Sequence, residues 1–140
     1  MEYKEYLEYI NSNAYMDAGI KSLNINYFGD EVILVHEYDG NRDIRLFFHK
    51  CYKVAISNDL KLEKQCPMKD LPYSQIPYYI QDIVLEKVSK EKLALYKIFL
   101  DANLLEMEII CMEIDVQLIN KIETLDLKCS DFAVITYAKQ

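Results

Sequence analysis

Up to Gly19 the apolar residues of this chain recur every three to four positions; beyond it they alternate. Tyr3, Tyr6, Leu7, Ile10 and Ala14 line one face of a helix, with Glu2, Lys4, Glu5 and Glu8 on the other. The pattern predicts one amphipathic helix over about residues 2–17, stopped by Gly19, whose missing Cβ suits a helix C-terminus. From Ile20, Leu23, Ile25 and Tyr27 alternate with Ser22, Asn24 and Asn26, the period of a half-buried strand. The strand period then persists to the end of the chain, which favours antiparallel sheets over alternating strand–helix units.

Residues 31–38 are apolar on both faces in the middle, as in a covered central strand. Asp39-Gly40-Asn41 reads as a hairpin turn of type I′, which needs positive φ. The return strand, about 43–56, puts Ile44, Leu46 and Phe48 on one face; continuing that phase would drive Lys50 into the core, so a bulge is expected near His49-Lys50. Residues 57–77 hold Pro67, Pro72 and Pro77 and read as a long connection. Further strands are expected at about 78–88, 93–101, 105–118 and 132–137. The two halves of 105–118 are out of phase, which a bulge at Ile110-Cys111 or a crossing between two sheets would explain. The expected fold is mainly β with one N-terminal α-helix: an antiparallel two-sheet sandwich, or alternatively a partly open β-barrel. A single domain over 1–140, with its β-rich body at about 20–138, fits the length.

Composition narrows the function. Of 140 residues 51% are hydrophobic, enough for a core. A net charge of −7 argues against nucleic acid, which calls for clustered Lys and Arg. No apolar run exceeds four residues, far short of a membrane-spanning helix, and Met1-Glu2-Tyr3-Lys4-Glu5-Tyr6 does not resemble a secretory signal. Cys51, Cys66, Cys111 and Cys129 include no C-x-x-C pair and read as reduced thiols, so a cytoplasmic location is expected.

Catalytic signals are missing. Gly19, Gly29 and Gly40 are isolated, which excludes glycine-rich phosphate loops, and there is no G-x-S-x-G elbow. His36 and His49 have no metal-ligand spacing. Glu106 with Glu108, and Glu113 with Asp115, share strand faces and read as a solvated surface or an acidic stripe for a basic partner. No catalytic residue, cofactor or metal ligand is therefore assigned. Arg42 and Arg45 are the only arginines, beside Glu37 and Asp39 in the hairpin, and tyrosine is abundant, at twelve residues with no tryptophan. Arginine and aromatic anchors dominate protein interfaces. The candidate partner-binding residues are thus Glu37, Asp39, Arg42 and Arg45, with Tyr73, Tyr78 and Tyr79 from the long connection.

The stretches Asn26-Tyr27-Phe28-Gly29-Asp30-Glu31-Val32, Arg45-Leu46-Phe47-Phe48-His49-Lys50-Cys51-Tyr52-Lys53-Val54 and Glu108-Ile109-Ile110-Cys111-Met112-Glu113-Ile114 resemble small uncharacterised β-rich proteins of Gram-positive bacteria. Some of these are encoded near polymorphic toxins and regarded as immunity proteins. The resemblance spans about residues 20–118 and transfers no functional residue. It implies stoichiometric binding that blocks a toxin without catalysis. The first expectation is accordingly a non-enzymatic protein-binding module, immunity-like, for which a basic protein is a suitable partner. The alternatives are a homo-oligomeric structural protein, and a small-ligand binder or enzyme with a pocket near His36 or His49.

Overall fold

The computed structural model describes residues 1–59, 67–71 and 76–121. They form one helix, α1 (Tyr3–Asn11), and six strands: β1 (Ile20–Asn26), β2 (Glu31–Glu37), β3 (Arg42–Asn58), β4 (Asp82–Lys90), β5 (Leu93–Ala102) and β6 (Leu105–Asn120). The expected strand at 132–137 lies outside the described residues, as do residues 60–66 and 72–75 of the long connection.

The mainly β, antiparallel body behind an N-terminal helix is as the pattern predicts. All six strands belong to one sheet in the order β1-β2-β3-β6-β5-β4, with every neighbouring pair antiparallel. The sheet does not close. Its two edges meet at one point, where Gly19 bridges Tyr79 and the Ile20 N–H donates to the Tyr78 carbonyl (2.9 Å).

Strands β3 and β6, of 17 and 16 residues, run together through the centre. Their register shifts between Cys51 and Lys53, and Lys50 takes a left-handed φ of 51°. The bulge therefore falls where Lys50 would otherwise enter the core, and β3 carries the dislocation that the phase change suggested at Ile110-Cys111. One cluster buries Val32, Leu34, Ile44, Leu46, Phe48, Leu100, Met107 and Ile109 of the sheet with Tyr6 and Ile10 of α1. Burial of such apolar side chains, about 1.5–3 kcal/mol each, is the main force holding helix to sheet.

Three local expectations are corrected. The helix ends at Asn11, not near residue 17. Asn13 is left-handed (φ 60°), a conformation asparagine tolerates, and the Ser12 and Asn13 N–H groups close the last turn on the carbonyls of Glu8 and Ile10. The hairpin is not type I′, since Gly29 is the only described glycine with positive φ. Instead the Asp39 carboxylate accepts the N–H groups of Asn41 (2.8 Å) and Arg42 (2.7 Å), so a side chain shapes the turn. Finally, the fourth strand starts at Asp82 rather than Tyr78, because Tyr78 to Ile80 are spent bridging to the start of β1.

Candidate partner-binding surface

At one end of the sheet α1 lies beside the loop that joins β2 to β3. The helical period puts Glu5, Glu8, Tyr9 and Ser12 on one face, and they line an open groove whose other wall is Tyr38 and Asp39. The floor is aromatic. Tyr9 and Tyr38 lie 5.4 Å apart between centroids, and Tyr9 stacks on His36 at 6.1 Å. The rim is acidic, from Glu5, Glu8 and Asp39. Burial, then the neighbouring Tyr38 ring, pushes the Tyr9 phenol up to about 12.

Asp39 and Arg42 are brought together. Arg42 Nε and Nη2 both donate to Asp39 Oδ2, at 3.1 and 2.9 Å, and the guanidinium lies 5.4 Å from the Tyr38 ring centroid. The Asn41 N–H foremost, and Arg42 after it, hold the Asp39 carboxyl below its ordinary value. This exposed fork fixes the groove's outer wall.

The remaining sequence candidates divide. Glu37 is half-buried, and its Oε1 accepts the Gly19 N–H (2.9 Å), anchoring the start of β1. Tyr78 and the more exposed Tyr79 lie on the opposite side of that same glycine through the Gly19–Tyr79 bridge. Arg45 stands apart from Arg42, with its guanidinium 5.9 Å from the Phe47 ring. Tyr73 lies outside the described residues. Asp43 pairs with Lys21 at 2.8 Å, both side chains almost wholly enclosed, tying β1 to β3 across β2. Tyr9, Tyr38, Glu5 and Glu8 were not among the candidates. The helical period that picked out the apolar face also marks the groove face of α1, but the groove exists only once α1 lies beside the hairpin.

The two histidines differ. His36 is fully enclosed beneath the groove. Its Nδ1 lies 2.8 Å from the Glu37 carbonyl, which can only accept, so Nδ1 carries the proton and Nε2 accepts from the Tyr6 hydroxyl at 3.0 Å. Burial lowers its pKa to about 4, which keeps the ring neutral. His49 sits on the opposite strand face, stacked on Phe47 (3.8 Å) and 2.7 Å from Asp115 Oδ2. Two further acidic residues of β6 are also engaged: Glu113 by Lys50, Glu108 by Lys53 and Lys97. Among the described residues no group of three or more His, Cys, Asp or Glu side chains is placed to hold a metal ion, and no helix is long and apolar enough to cross a membrane.

This surface, aromatic within and acidic at the rim, has the make-up of a protein interface. Residues 2–118 match the family model described as Immunity protein PIM7. The chain belongs to the PIM7 immunity protein family. No curated protein matches it. The matched span agrees with the immunity-like resemblance in the sequence and extends it to α1. It covers the helix, the hairpin and all but the last two residues of β6, and so includes both walls of the groove.

Proposed function

We propose that this PIM7 family member neutralises a protein toxin in the cytoplasm by binding it one-to-one and covering its working surface, without catalysis. The observation that carries the reading is the groove between α1 and the hairpin. Glu5, Glu8 and Asp39 surround Tyr9 and Tyr38 there, within a chain of net charge −7. A basic segment of the toxin, laid in the groove, would meet carboxylates at the rim and aromatic surface below. Charge complementarity of this kind speeds encounter and excludes wrong partners, and it weakens as salt rises.

Capturing the chain's protein partner by pull-down from its source, and expressing that partner alone and together with the chain, tests the reading. The toxin alone should halt growth, co-expression should restore it, and the purified mixture should give a 1:1 complex by light scattering. A Glu5→Lys/Glu8→Lys variant should bind about tenfold or more weakly at low salt, with the difference narrowing at high salt. Growth arrest unrelieved by the chain would refute inhibition. Tight binding by the charge-reversed variant would refute the groove.

A further inference from the structure

At the far end of β2 from the groove, the turn between β1 and β2 is built against ordinary backbone preference. Tyr27, Phe28 and Gly29 have φ values of 51°, 58° and 99°. Glycine or asparagine adopts that region cheaply, whereas two large aromatic residues do so at a cost. Neither ring repays that cost inside the fold, since Tyr27 is 74% exposed and Phe28 fully exposed.

The turn is nonetheless held firmly. The Asp30 N–H donates to the Tyr27 carbonyl (3.2 Å), and the Cys51 N–H donates to the Asp30 carbonyl (3.0 Å). Gly29 packs on Val54 at ordinary van der Waals distance, since a Cβ there would lie 3.7 Å from a Val54 methyl. The turn is thus docked on the bulge of β3, where Lys50 is also left-handed. Tyr52, between the two β3 residues that touch the turn, is 60% exposed, and its hydroxyl reaches Met112 Sδ at 3.4 Å. The charges here are unevenly matched. Lys50 and Lys53 are paired with Glu113 and Glu108, while Asp30 and Glu31 form no ion pair among the described residues.

We propose that the Tyr27–Phe28 turn is a preformed anchor that enters an apolar, basic-rimmed cleft on the toxin, with Tyr52 packing beside it. The proposal rests on the toxin-binding reading above and adds a second contact to it. Strained, exposed aromatic residues on a rigid mount lose little freedom on binding, and such residues commonly carry most of an interface's affinity. The uncompensated Asp30 and Glu31 carboxylates argue for a basic rim on the partner.

Calorimetric titration of the full chain with the toxin captured in that pull-down tests the anchor. The parent chain should bind 1:1. A Tyr27→Ala/Phe28→Gly variant should bind roughly thirtyfold or more weakly. Phe28→Gly alone should unfold at higher urea than the parent, because glycine relieves the left-handed strain. If the parent binds and the double variant binds equally well, the anchor is wrong while the toxin-binding reading stands. A parent that neither binds nor neutralises removes both. A Phe28→Gly chain less stable than the parent would make the aromatic turn structural and overturn the anchor. A free chain that dimerises only while Phe28 is present would assign the turn to self-association instead.

Discussion

Mild acid should loosen this protein, and His36 should be the reason. In the fold its pKa is lowered from 6.5 to about 4 by burial, a loss that the Glu37 carbonyl and the Asp43 charge only partly offset. The unfolded chain therefore binds a proton that the folded chain refuses, and stability falls as pH drops from 6.5 towards 4. Above that window the ring is neutral in both states and the penalty vanishes. Below it both states are protonated and the penalty is constant. A difference of that size is worth about 3 kcal/mol in full, of which about 2 kcal/mol should be gone by pH 5. Urea unfolding followed by far-UV circular dichroism at pH 7, 6 and 5 measures it. The control is Tyr6→Phe/His36→Leu, which removes the titrating ring together with its hydroxyl partner and leaves an apolar site. That variant should lose most of the pH dependence. If it keeps the parent's slope, the buried imidazole is not the source and the reasoning fails.

Tyr6→Phe alone should cost about 1–3 kcal/mol by leaving the enclosed His36 Nε2 without its donor, measurable in the same urea experiment at pH 7. Cys51 and Cys111 are register partners on β3 and β6, and the Cys51 N–H is committed to Asp30, so they occupy a non-hydrogen-bonded site. Cα atoms at such sites are about 4.5 Å apart, within disulfide range. In a Cys66→Ser/Cys129→Ser background, hydrogen peroxide should oxidise the two thiols to a disulfide and be reduced to water, with the intact mass falling by two hydrogens. Burial pushes the thiols up to about 11 and 12, so the reaction should be slow at neutral pH and quicken as pH rises; a rate independent of pH would contradict that reading. Arg42→Ala/Arg45→Ala should weaken toxin binding about tenfold, because Asp39 loses the guanidinium that fixes the groove's outer wall, while leaving the far-UV spectrum unchanged; unchanged affinity would remove both arginines from the interface.

What was legible in the sequence was whatever a local period dictates. The helix, the antiparallel strands and the bulge at Lys50 follow from side-chain alternation, because a lysine cannot replace Phe48 and its neighbours in a closed core. Strand order was not legible. Nothing local tells β6 to insert between β3 and β5, since that pairing joins residues as distant as Arg42 and Asn120. Turn geometry was misread at Asp39-Gly40, where a carboxylate accepting two N–H groups made positive φ at glycine unnecessary. At the surface, charge alone does not show what a side chain already holds. Glu37 reads as a partner-binding carboxylate of the hairpin, and in the fold it accepts the Gly19 N–H and anchors β1. The acidic residues of β6 read as a stripe for a partner, yet lysines and His49 already pair with Glu108, Glu113 and Asp115.

Groups already bound within the fold differ from those left open to solvent. A charge satisfied within the fold, such as Glu37 or Asp43, contributes to holding it and has less to offer a partner. By contrast, Glu5 and Glu8 line the groove without a described ion pair, and Tyr27 and Phe28 combine exposure with left-handed backbone. Folding alone favours neither the exposed rings nor their backbone conformation, because asparagine and glycine would build the same turn at less cost. Binding can offset what folding does not, and this places the functional argument on features that work against stability.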